Sequence, residues 1–257
     1  MEKKYKLTEE TINFNGLTLY RIESIKDFGN ISKGQKGGFV ESERNLSQYD
    51  NAWVFGNAKV SGNACVFGNA WVFGNAWVYG NAEVCDNAWV FGNAWVYRNA
   101  KVSGNAKVSG NAKVSGNAEV CDNAKVCDNA KVCDNTWVCG NAKVYENACV
   151  FGNAWVCDNA WVFGNADVYG NAKMRGDAKV CDNADYIVFK NWWSSGRYFT
   201  WTRSNNMWNV GCFLGTGKEL IKKAYEDSEK SGIEYERVVK YVENILADSL
   251  QMADEKK

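Results

Sequence analysis

Residues 51–68 read NAWVFG NAKVSG NACVFG, three consecutive units of six residues that begin with Asn-Ala and carry valine at the fourth position. We call this unit a hexad. It continues in the same register to Asp182, which makes 132 residues or 22 hexads. Such regular self-similarity is typical of a solenoid, in which each unit packs mainly on its neighbours. The repeat therefore dominates any prediction of the fold.

Two positions of the hexad are almost invariant. Valine occupies the fourth position in every hexad except that of Met174, and alanine occupies the second position in every hexad except that of Thr136. A period of six matches neither the helical period nor an uninterrupted strand, but it fits a short strand followed by a corner. We therefore expect three hexads to close one triangular coil, with valine and alanine inward and the third and fifth positions outward.

An aliphatic residue followed four positions later by a small one, as in Val54 and Ala58 or Val60 and Ala64, resembles the hexapeptide-repeat family. The resemblance covers about half of the chain. It implies a mainly β fold, the left-handed parallel β-helix, which is a triangular solenoid with 18 residues per coil. After the aliphatic residue the family usually has a small or acidic residue, whereas this chain has Phe, Tyr, Ser or Cys, apart from Arg175.

The corner of each coil should fall near the junction between hexads. The sixth position is usually glycine but also holds aspartate, Arg98 and Glu146, whereas the following position is asparagine in every hexad except at Asp177. Asparagine tolerates the left-handed backbone region better than most non-glycine residues. We therefore predict that the asparagines carry a positive φ and stack in ladders along the three edges.

The flanking segments are predicted to cap the array, since raw strand edges invite aggregation. Asn15-Gly16 lies within an alternating stretch and is a strong hairpin signal. Residues 37–50 resemble degenerate hexads. The predicted organisation is an N-terminal β-hairpin cap with a degenerate first coil, a hexapeptide-repeat β-helix, and a C-terminal ββαα cap of a hairpin and two helices, over residues 1–50, 51–188 and 189–257 respectively.

The C-terminal segment carries its own local signals. Two strands are predicted at residues 197–203 and 207–213, and Thr216 with Glu219 forms a capping box at the start of the first helix. Gly232 is predicted to separate the two helices. The stretch GCFLGTGKEL is similar to tails of uncharacterised hexapeptide-array proteins of bacteriophages and gut bacteria. This resemblance names no activity, and a phage-encoded protein that acts on a host component is one form of the scaffold hypothesis.

Composition limits the range of functions. The chain has 30 basic and 30 acidic residues, so no region is typical of a nucleic-acid-binding arm. The start of the chain lacks the apolar run of a signal peptide, and no stretch is apolar enough to span a bilayer. We therefore expect a cytoplasmic protein, in the host cytosol if it is phage-encoded, whose ten cysteines are free thiols.

The sequence argues against catalysis. Many hexapeptide-repeat proteins are acyltransferases that use a histidine base, and this chain has no histidine. Residues 215–218 lack the spacing of a phosphate loop. Cys121, Cys139 and Cys157 should stack on one face, but parallel side chains do not converge as zinc ligands must. We therefore predict a protein that is not an enzyme and has no cofactor and no metal site.

The outward positions carry the candidate binding residues. Taking every third hexad as one face gives aromatic residues on two faces, which are Trp53, Phe55, Trp71, Phe73, Trp89 and Phe91 on the first and Trp77, Tyr79, Trp95 and Tyr97 on the second. The middle coils carry a group of lysines that we call the lysine belt, made of Lys101, Lys107, Lys113, Lys125 and Lys131. Aromatic residues then return at Trp155, Trp161, Phe163 and Tyr169.

A large apolar surface seldom stays in water, and aromatic residues are typical of protein interfaces. The leading hypothesis is a non-catalytic scaffold that forms a homo-oligomer or binds a host protein. The alternative is a glycan or nucleotide-type ligand bound on the tryptophans, and an acyltransferase without the usual histidine is a weaker one. Cover by the N-terminal segment, or stabilisation of the coils by stacking alone, would also account for the aromatic residues. Neither nucleic acid nor membrane is expected as a partner.

Overall fold

The computed structural model describes residues 3–254 and divides the chain into two compact units between Asn183 and Ala184. The first unit contains the repeats. It begins with β1 (Tyr5–Phe14) and β2 (Leu17–Ser24), followed by β3 (Lys36–Val40) and a 3-10 turn at Glu43–Asn45. Asn15 and Gly16 join β1 to β2 with φ values of 52° and 80°. The predicted hairpin is therefore confirmed.

Each hexad contributes one strand of two residues, its third and fourth positions. These strands are β4 (Trp53–Val54), β5 (Lys59–Val60), β6 (Cys65–Val66), β7 (Trp71–Val72), β8 (Trp77–Val78), β9 (Glu83–Val84), β10 (Trp89–Val90), β11 (Trp95–Val96), β12 (Lys101–Val102), β13 (Lys107–Val108), β14 (Lys113–Val114), β15 (Glu119–Val120), β16 (Lys125–Val126), β17 (Lys131–Val132), β18 (Trp137–Val138), β19 (Lys143–Val144), β20 (Cys149–Val150), β21 (Trp155–Val156), β22 (Trp161–Val162), β23 (Asp167–Val168), β24 (Lys173–Met174) and β25 (Lys179–Val180).

Every third strand pairs in parallel with the next, so that residues 18 apart are directly opposite, as in Trp71 and Trp89. The strands form three sheets: an eight-stranded sheet from β4 to β25, a ten-stranded sheet in which β1, β2 and β3 precede β5 and continue to β23, and a seven-stranded sheet from β6 to β24. A mainly β parallel solenoid with 18 residues per coil is thereby confirmed.

The interior contains the invariant half of the repeat. The side chains of the fourth-position valines and second-position alanines are fully buried, and so are their replacements Met174 and Thr136. Backbone N–H groups at the first, third and fifth positions donate to the next coil, for example Trp71 N to Ala88 O at 2.9 Å and Phe73 N to Val90 O at 3.0 Å. Burial of small apolar side chains and continuous backbone pairing thus hold the coils together.

The prediction for the corner is half wrong. The positive φ lies at the sixth position, including its non-glycine residues such as Arg98 (62°) and Glu146 (59°), and not at the asparagines that follow. The asparagines do form the predicted ladders, for example from Asn69 Nδ2 to Asn87 Oδ1 at 3.1 Å. The sixth position takes the left-handed conformation because the asparagine backbone donates to the next coil, as in Asn69 N to Asp86 O.

The N-terminal segment closes the first coil with polar contacts. The buried Lys4 ammonium donates to the backbone oxygens of Tyr49 at 2.9 Å, Asp50 at 3.3 Å and Ala52 at 2.8 Å. Asn45 Nδ2 donates to carbonyl oxygens of the following coil, Gly62 at 3.0 Å and Ala64 at 2.8 Å. β3 pairs in parallel with β5. The strand edges at this end are thus covered by the chain itself, as a cap requires.

The second unit is an antiparallel sheet with two helices. The sheet contains β26 (Tyr186–Lys190), β27 (Tyr198–Thr202), β28 (Met207–Val210) and β29 (Phe213–Gly215), and the helices are α1 (Gly217–Asp227) and α2 (Glu229–Asp254). The predicted pair of strands is present but belongs to a four-stranded sheet. The predicted domain boundary after residue 188 lies inside β26, which pairs with β27 in the second unit.

The core of this unit combines aromatic residues of the sheet, Phe199, Trp201 and Trp208, with Tyr235 and Val239 of α2.

The predicted capping box is confirmed, since Thr216 N donates to Glu219 Oε2 at 2.8 Å and Glu219 N donates to Thr216 Oγ1 at 3.3 Å. No helix among the residues from 3 to 254 has the length and apolar character needed to cross a bilayer.

The predicted break at Gly232 is wrong, because α1 ends at Asp227 with Ser228 as its C-cap and Gly232 lies inside α2. The glycine instead makes room for a neighbouring ring. A Cβ atom at this position would clash with ring carbons of Tyr225.

Candidate functional site: the outward aromatic and lysine columns

The outward side chains form columns along the solenoid because residues 18 apart stack in register. We call the outward side of the sheet from β4 to β25 the first face, that of the sheet from β5 to β23 the second face, and that of the sheet from β6 to β24 the third face. Each face has one column of third-position residues and one of fifth-position residues. The predicted aromatic columns are present on the first and second faces.

On the first face, Trp53 is fully buried by the N-terminal segment. Its indole contacts the Tyr5 ring with centroids 6.1 Å apart and the Phe28 ring with centroids 5.4 Å apart. Tyr5 is itself anchored, since its hydroxyl donates to the backbone oxygen of Leu46 at 2.8 Å. Trp53 is therefore part of the cap and is unavailable to a partner.

The next two coils of the first face form an open aromatic cleft. Phe55, Trp71, Phe73 and Trp89 line it, with a volume of about 270 Å³, and their side chains are half-buried. Trp71 and Trp89 stack with centroids 5.6 Å apart, and Phe73 stacks on Phe91 with centroids 4.7 Å apart. Two aromatic columns thus form the sides of a groove along the solenoid.

The second face is partly covered as well. Phe14, at the end of β1, packs edge-on against Trp77 with centroids 4.8 Å apart, and the Trp77 indole N–H donates to Ser61 Oγ at 3.0 Å. Trp77 is 8% exposed whereas Trp95, one coil further, is 36% exposed. Covering by the N-terminal segment, one of the explanations considered from the sequence, therefore accounts for Trp53 and Trp77 but leaves the neighbouring coils open.

The stacking determines which part of each ring is available. Trp71 and Trp89 are 6° from parallel, Phe73 and Phe91 are 1° from parallel, and their centroid separations are close to the spacing between coils, about 4.8 Å. The ring faces therefore look along the solenoid towards each other, and the ring edges point outward. A flat ligand that needs a free ring face, such as a nucleobase, does not find one between the two stacked rings of either pair.

Lysines occupy the ends of the aromatic columns. Lys107 Nζ lies 4.3 Å from the ring centroid of Trp89, and Lys113 Nζ lies 4.7 Å from that of Trp95. Each ammonium covers a ring face that no aromatic neighbour covers, which is a favourable cation–π contact. Two members of the lysine belt thus terminate the stacks.

The lysine belt is not one continuous surface. Lys107 and Lys125 lie on the first face, Lys113 and Lys131 on the second, and Lys101 on the third. Lys101 stands between carboxylates of its own column, because it pairs in register with Glu83 and Glu119. A polyanion lying along one face would meet at most a few of these charges.

Sequence reasoning missed Trp137, which forms an exposed pair with Trp155 on the third face. Trp137 and Trp155 stack with centroids 5.3 Å apart and are 41% and 37% exposed, and Lys173 Nζ lies 4.6 Å from the Trp155 ring. The signal was available, since Trp137 precedes Trp155 by one coil. A second aromatic zone therefore lies near the C-terminal end of the solenoid, on a different face from the cleft.

Beside the cleft, the tryptophan column is bordered by amides. Asn69 and Asn87 of the ladder line a depression of about 320 Å³ together with Trp71, Trp89 and Asn30.

Among the residues from 3 to 254, no group of three or more His, Cys, Asp or Glu side chains is arranged to hold a metal ion. Comparison with known proteins gives no match, either to a protein-family model or to a curated protein sequence.

Proposed function

We infer that the chain is a non-catalytic scaffold of the hexapeptide-repeat type that self-associates through the aromatic columns of its first face. The observation that carries this proposal is the open cleft between Phe55, Trp71, Phe73 and Trp89, whose lining is entirely aromatic and apolar. Burying such ring edges against another protein gains hydrophobic free energy, and aromatic side chains are enriched in interfaces.

A second copy of the chain is the partner that matches this surface best. Two copies present identical columns with the same spacing between coils, so ring edges of one copy can enter the groove of the other in a two-fold arrangement. The equal numbers of acidic and basic residues mean that net charge does not oppose association at neutral pH.

The absence of histidine from the sequence supports a non-catalytic role. The carboxylates at the corners already accept backbone hydrogen bonds, as Asp122 does from Gly140 and Asp158 does from Gly176. Side chains so engaged do not supply a free base beside the cleft.

Sedimentation velocity over a wide concentration range tests self-association. The double variant Phe73→Ser with Trp89→Lys removes two aromatic rings from the first face. The same two columns already carry serine at Ser109 and lysine at Lys107, so the fold should tolerate both changes. We expect the wild-type chain to form dimers or larger assemblies and this variant to be monomeric. The matched control, Trp95→Lys with Tyr97→Ser on the second face, should associate like the wild type.

A monomeric wild-type chain at every concentration, or equal association of the two double variants, would refute self-association through the first face. The remaining partner for the cleft would then be a foreign protein. A pull-down from host extract with the wild-type chain and the first-face variant would reveal whether capture depends on the cleft.

A second candidate function rests on the amide border of the tryptophan column. Each ladder asparagine uses one N–H and one oxygen lone pair within the ladder, which leaves a donor and an acceptor for a ligand. Such a row beside Trp71 and Trp89 suits a neutral, hydroxyl-rich ligand such as a glycan. Calorimetric titration with neutral oligosaccharides tests this; binding that is unchanged in Asn69→Ala with Asn87→Ala would contradict it.

A further inference from the structure

The C-terminal unit contains a cleft of its own, beside the start of α1. The cleft has a volume of about 260 Å³, and its lining comes from the segment before β28, from β28 itself, from the first turn of α1 and from α2. All of its lining residues belong to the second unit. The volume is below the range of about 300–1,000 Å³ typical of sites for drug-sized ligands, so the cleft suits a small molecule.

The first turn of α1 supplies hydrogen-bond donors to this cleft. α1 has 11 residues, Thr216 is its N-cap, and Gly217 and Lys218 line the cleft. The next two N–H groups, of Glu219 and Leu220, donate to Thr216. The N–H groups of Gly217 and Lys218 have no acceptor within residues 3–254. Unpaired N–H groups and the helix dipole together favour an anion at this position.

A buried indole indicates a ligand at the same place. Trp208 is 1% exposed and lines the cleft, yet its Nε1–H has no acceptor in the part of the chain that the structure describes. A Cβ atom at Gly217 would lie 3.3 Å from Trp208 Nε1, so the indole nitrogen faces the space that this glycine leaves open. Buried polar groups nearly always have a hydrogen-bond partner. The acceptor for this N–H is therefore expected from outside the chain.

The cleft also carries charges of both signs. Lys218 adds an exposed ammonium group beside the unpaired N–H groups, and Glu243 of α2 adds an exposed carboxylate. Neither side chain forms an ion pair with another residue between 3 and 254. The Glu219 carboxylate, which is also at this end of α1, is already engaged, since it accepts from Thr216 N at 2.8 Å and from Thr216 Oγ1 at 2.9 Å.

The rest of the lining is one amide and two valines. Val239 and Val242 are buried and lie three or four residues before Glu243 or beside it on α2, so they share a face of the helix. Asn206 Oδ1 accepts from the Trp201 indole at 2.8 Å, which directs its amide nitrogen away from that bond as a further donor. The cleft thus combines several donors, one carboxylate and an apolar floor.

We propose that the C-terminal unit binds a small α-amino acid with an aliphatic side chain in this cleft. The carboxylate of the ligand accepts hydrogen bonds from the first turn of α1 and from the indole of Trp208. Its ammonium group faces Glu243, and its side chain contacts the two valines of α2. A simple anion such as phosphate matches less well, because it brings its charge close to Glu243 without a cation of its own.

Isothermal titration calorimetry of the full-length protein with L-valine tests the proposal, beside two analogues that each lack one charged group. Isobutylamine lacks the carboxylate and should bind at least about tenfold more weakly, because charge-assisted hydrogen bonds are lost. 3-Methylbutanoate lacks the ammonium group and should bind about 2- to 5-fold more weakly, as expected for one exposed ion pair. Inorganic phosphate is the probe for a simple anion and should bind more weakly than L-valine.

Variants of the lining locate the site. Lys218→Met should weaken binding of L-valine about 2- to 5-fold, whereas Lys222→Met, an exposed lysine of α1 outside the lining, should leave it unchanged. Glu243→Gln should weaken binding of L-valine but not of 3-methylbutanoate. Trp208→Phe removes the indole N–H and should weaken both at least about tenfold. Because Trp208 lies in the core, circular dichroism checks its fold, and the two exposed positions test the site independently of it.

The absence of saturable binding of L-valine would overturn the proposal. Equal affinities for L-valine and isobutylamine would do so as well, and so would equal losses in Lys218→Met and Lys222→Met. Tighter binding of phosphate than of L-valine would exclude an amino acid as the ligand. Because the lining belongs to the second unit, the first-face variant should bind L-valine like the wild type, so the outcome does not depend on self-association.

Discussion

The carboxylate of Asp122 accepts a hydrogen bond of 3.0 Å from the backbone N–H of Gly140, one coil further along the solenoid. The same contact joins Asp86 to Gly104 at 3.0 Å. At the corner that follows the third face, glycine and aspartate alternate from coil to coil. A non-glycine residue with positive φ costs about 1–2 kcal/mol, and the hydrogen bond to the next coil offsets part of that cost. The glycine above each aspartate spares the stack a second crowded Cβ atom.

This alternation predicts that substituting alanine for glycine lowers stability by different amounts at two positions with the same backbone conformation. Gly104 and Gly170 both have a φ of +66°, but a Cβ atom at Gly104 would lie 2.8 Å from Asp122 N, whereas at Gly170 it would meet nothing within 4 Å. We expect Gly170→Ala to cost about 1–2 kcal/mol from the backbone alone. Gly104→Ala should cost about 1–3 kcal/mol more because of overpacking. Chemical denaturation measures both, and equal costs would contradict the crowding argument.

We predict that replacing a ladder asparagine lowers the free energy of unfolding in proportion to the number of ladder hydrogen bonds it removes. Asn105 lies within a ladder, accepting from Asn87 at 3.2 Å and donating to Asn123 at 3.1 Å, whereas Asn165 ends a ladder by accepting from Asn147 at 3.2 Å. Asn105→Ala should cost about 1–2 kcal/mol and Asn165→Ala about half of that, since each exposed bond contributes modestly. The same denaturation assay compares them; a larger cost at Asn165 would argue against the ladder as a stabilising element.

We predict that the stability of the N-terminal cap depends strongly on the buried ammonium of Lys4. Lys4→Met removes three hydrogen bonds to carbonyl oxygens and leaves buried acceptors unpaired, which should cost about 2–4 kcal/mol. The exposed Lys33, changed to Met, is the matched control and should have little effect. Thermal unfolding followed by circular dichroism measures both variants. Equal midpoints would show that the ammonium does not hold the cap.

The pH dependence of that contribution has a defined sign. Burial lowers the pKa of Lys4 to about 8, although Asp50 opposes the shift, and in the unfolded chain the pKa is near 10.5. Between these values the unfolded chain binds more protons, so the contribution of Lys4 to stability should rise with pH from 8 to 10.5 and be lowest below pH 8. The difference in unfolding free energy between wild type and Lys4→Met, measured across this range, tests the sign. A difference that falls with rising pH would contradict it.

We predict that the effect of Gly232→Ala on the free energy of unfolding changes sign when Tyr225 is also replaced. In the wild-type background, Gly232→Ala forces a Cβ atom against the Tyr225 ring and should destabilise the C-terminal unit. In a Tyr225→Ala background the clash is gone, and alanine should stabilise α2 by about 1 kcal/mol because of its higher helix propensity. A double-mutant cycle by chemical denaturation measures the coupling. Additive effects would rule out the close approach as the reason for glycine.

Features that depend on short-range or periodic patterns could be predicted from the sequence. The hairpin at Asn15-Gly16 and the capping box of Thr216 and Glu219 are local chemistry, and both are present. Which of two adjacent corner residues takes the positive φ could not be predicted from local sequence. Asparagine and the residue before it can both accept a positive φ, and the pairing of each asparagine with the coil beyond decides which one does.

The sequence by itself determined the register of this protein, because a strict six-residue period of valine and alanine keeps the same positions inward in every coil made of whole hexads, and pairing of residues 18 apart meets that condition. It also determined the columns of aromatic residues on two faces. Only the tertiary structure decided which aromatic residues are available, since Tyr5, Phe28 and Phe14 reach Trp53 and Trp77 from segments distant in the sequence. Contacts between distant segments depend on where the whole chain places them, and no local pattern encodes that placement.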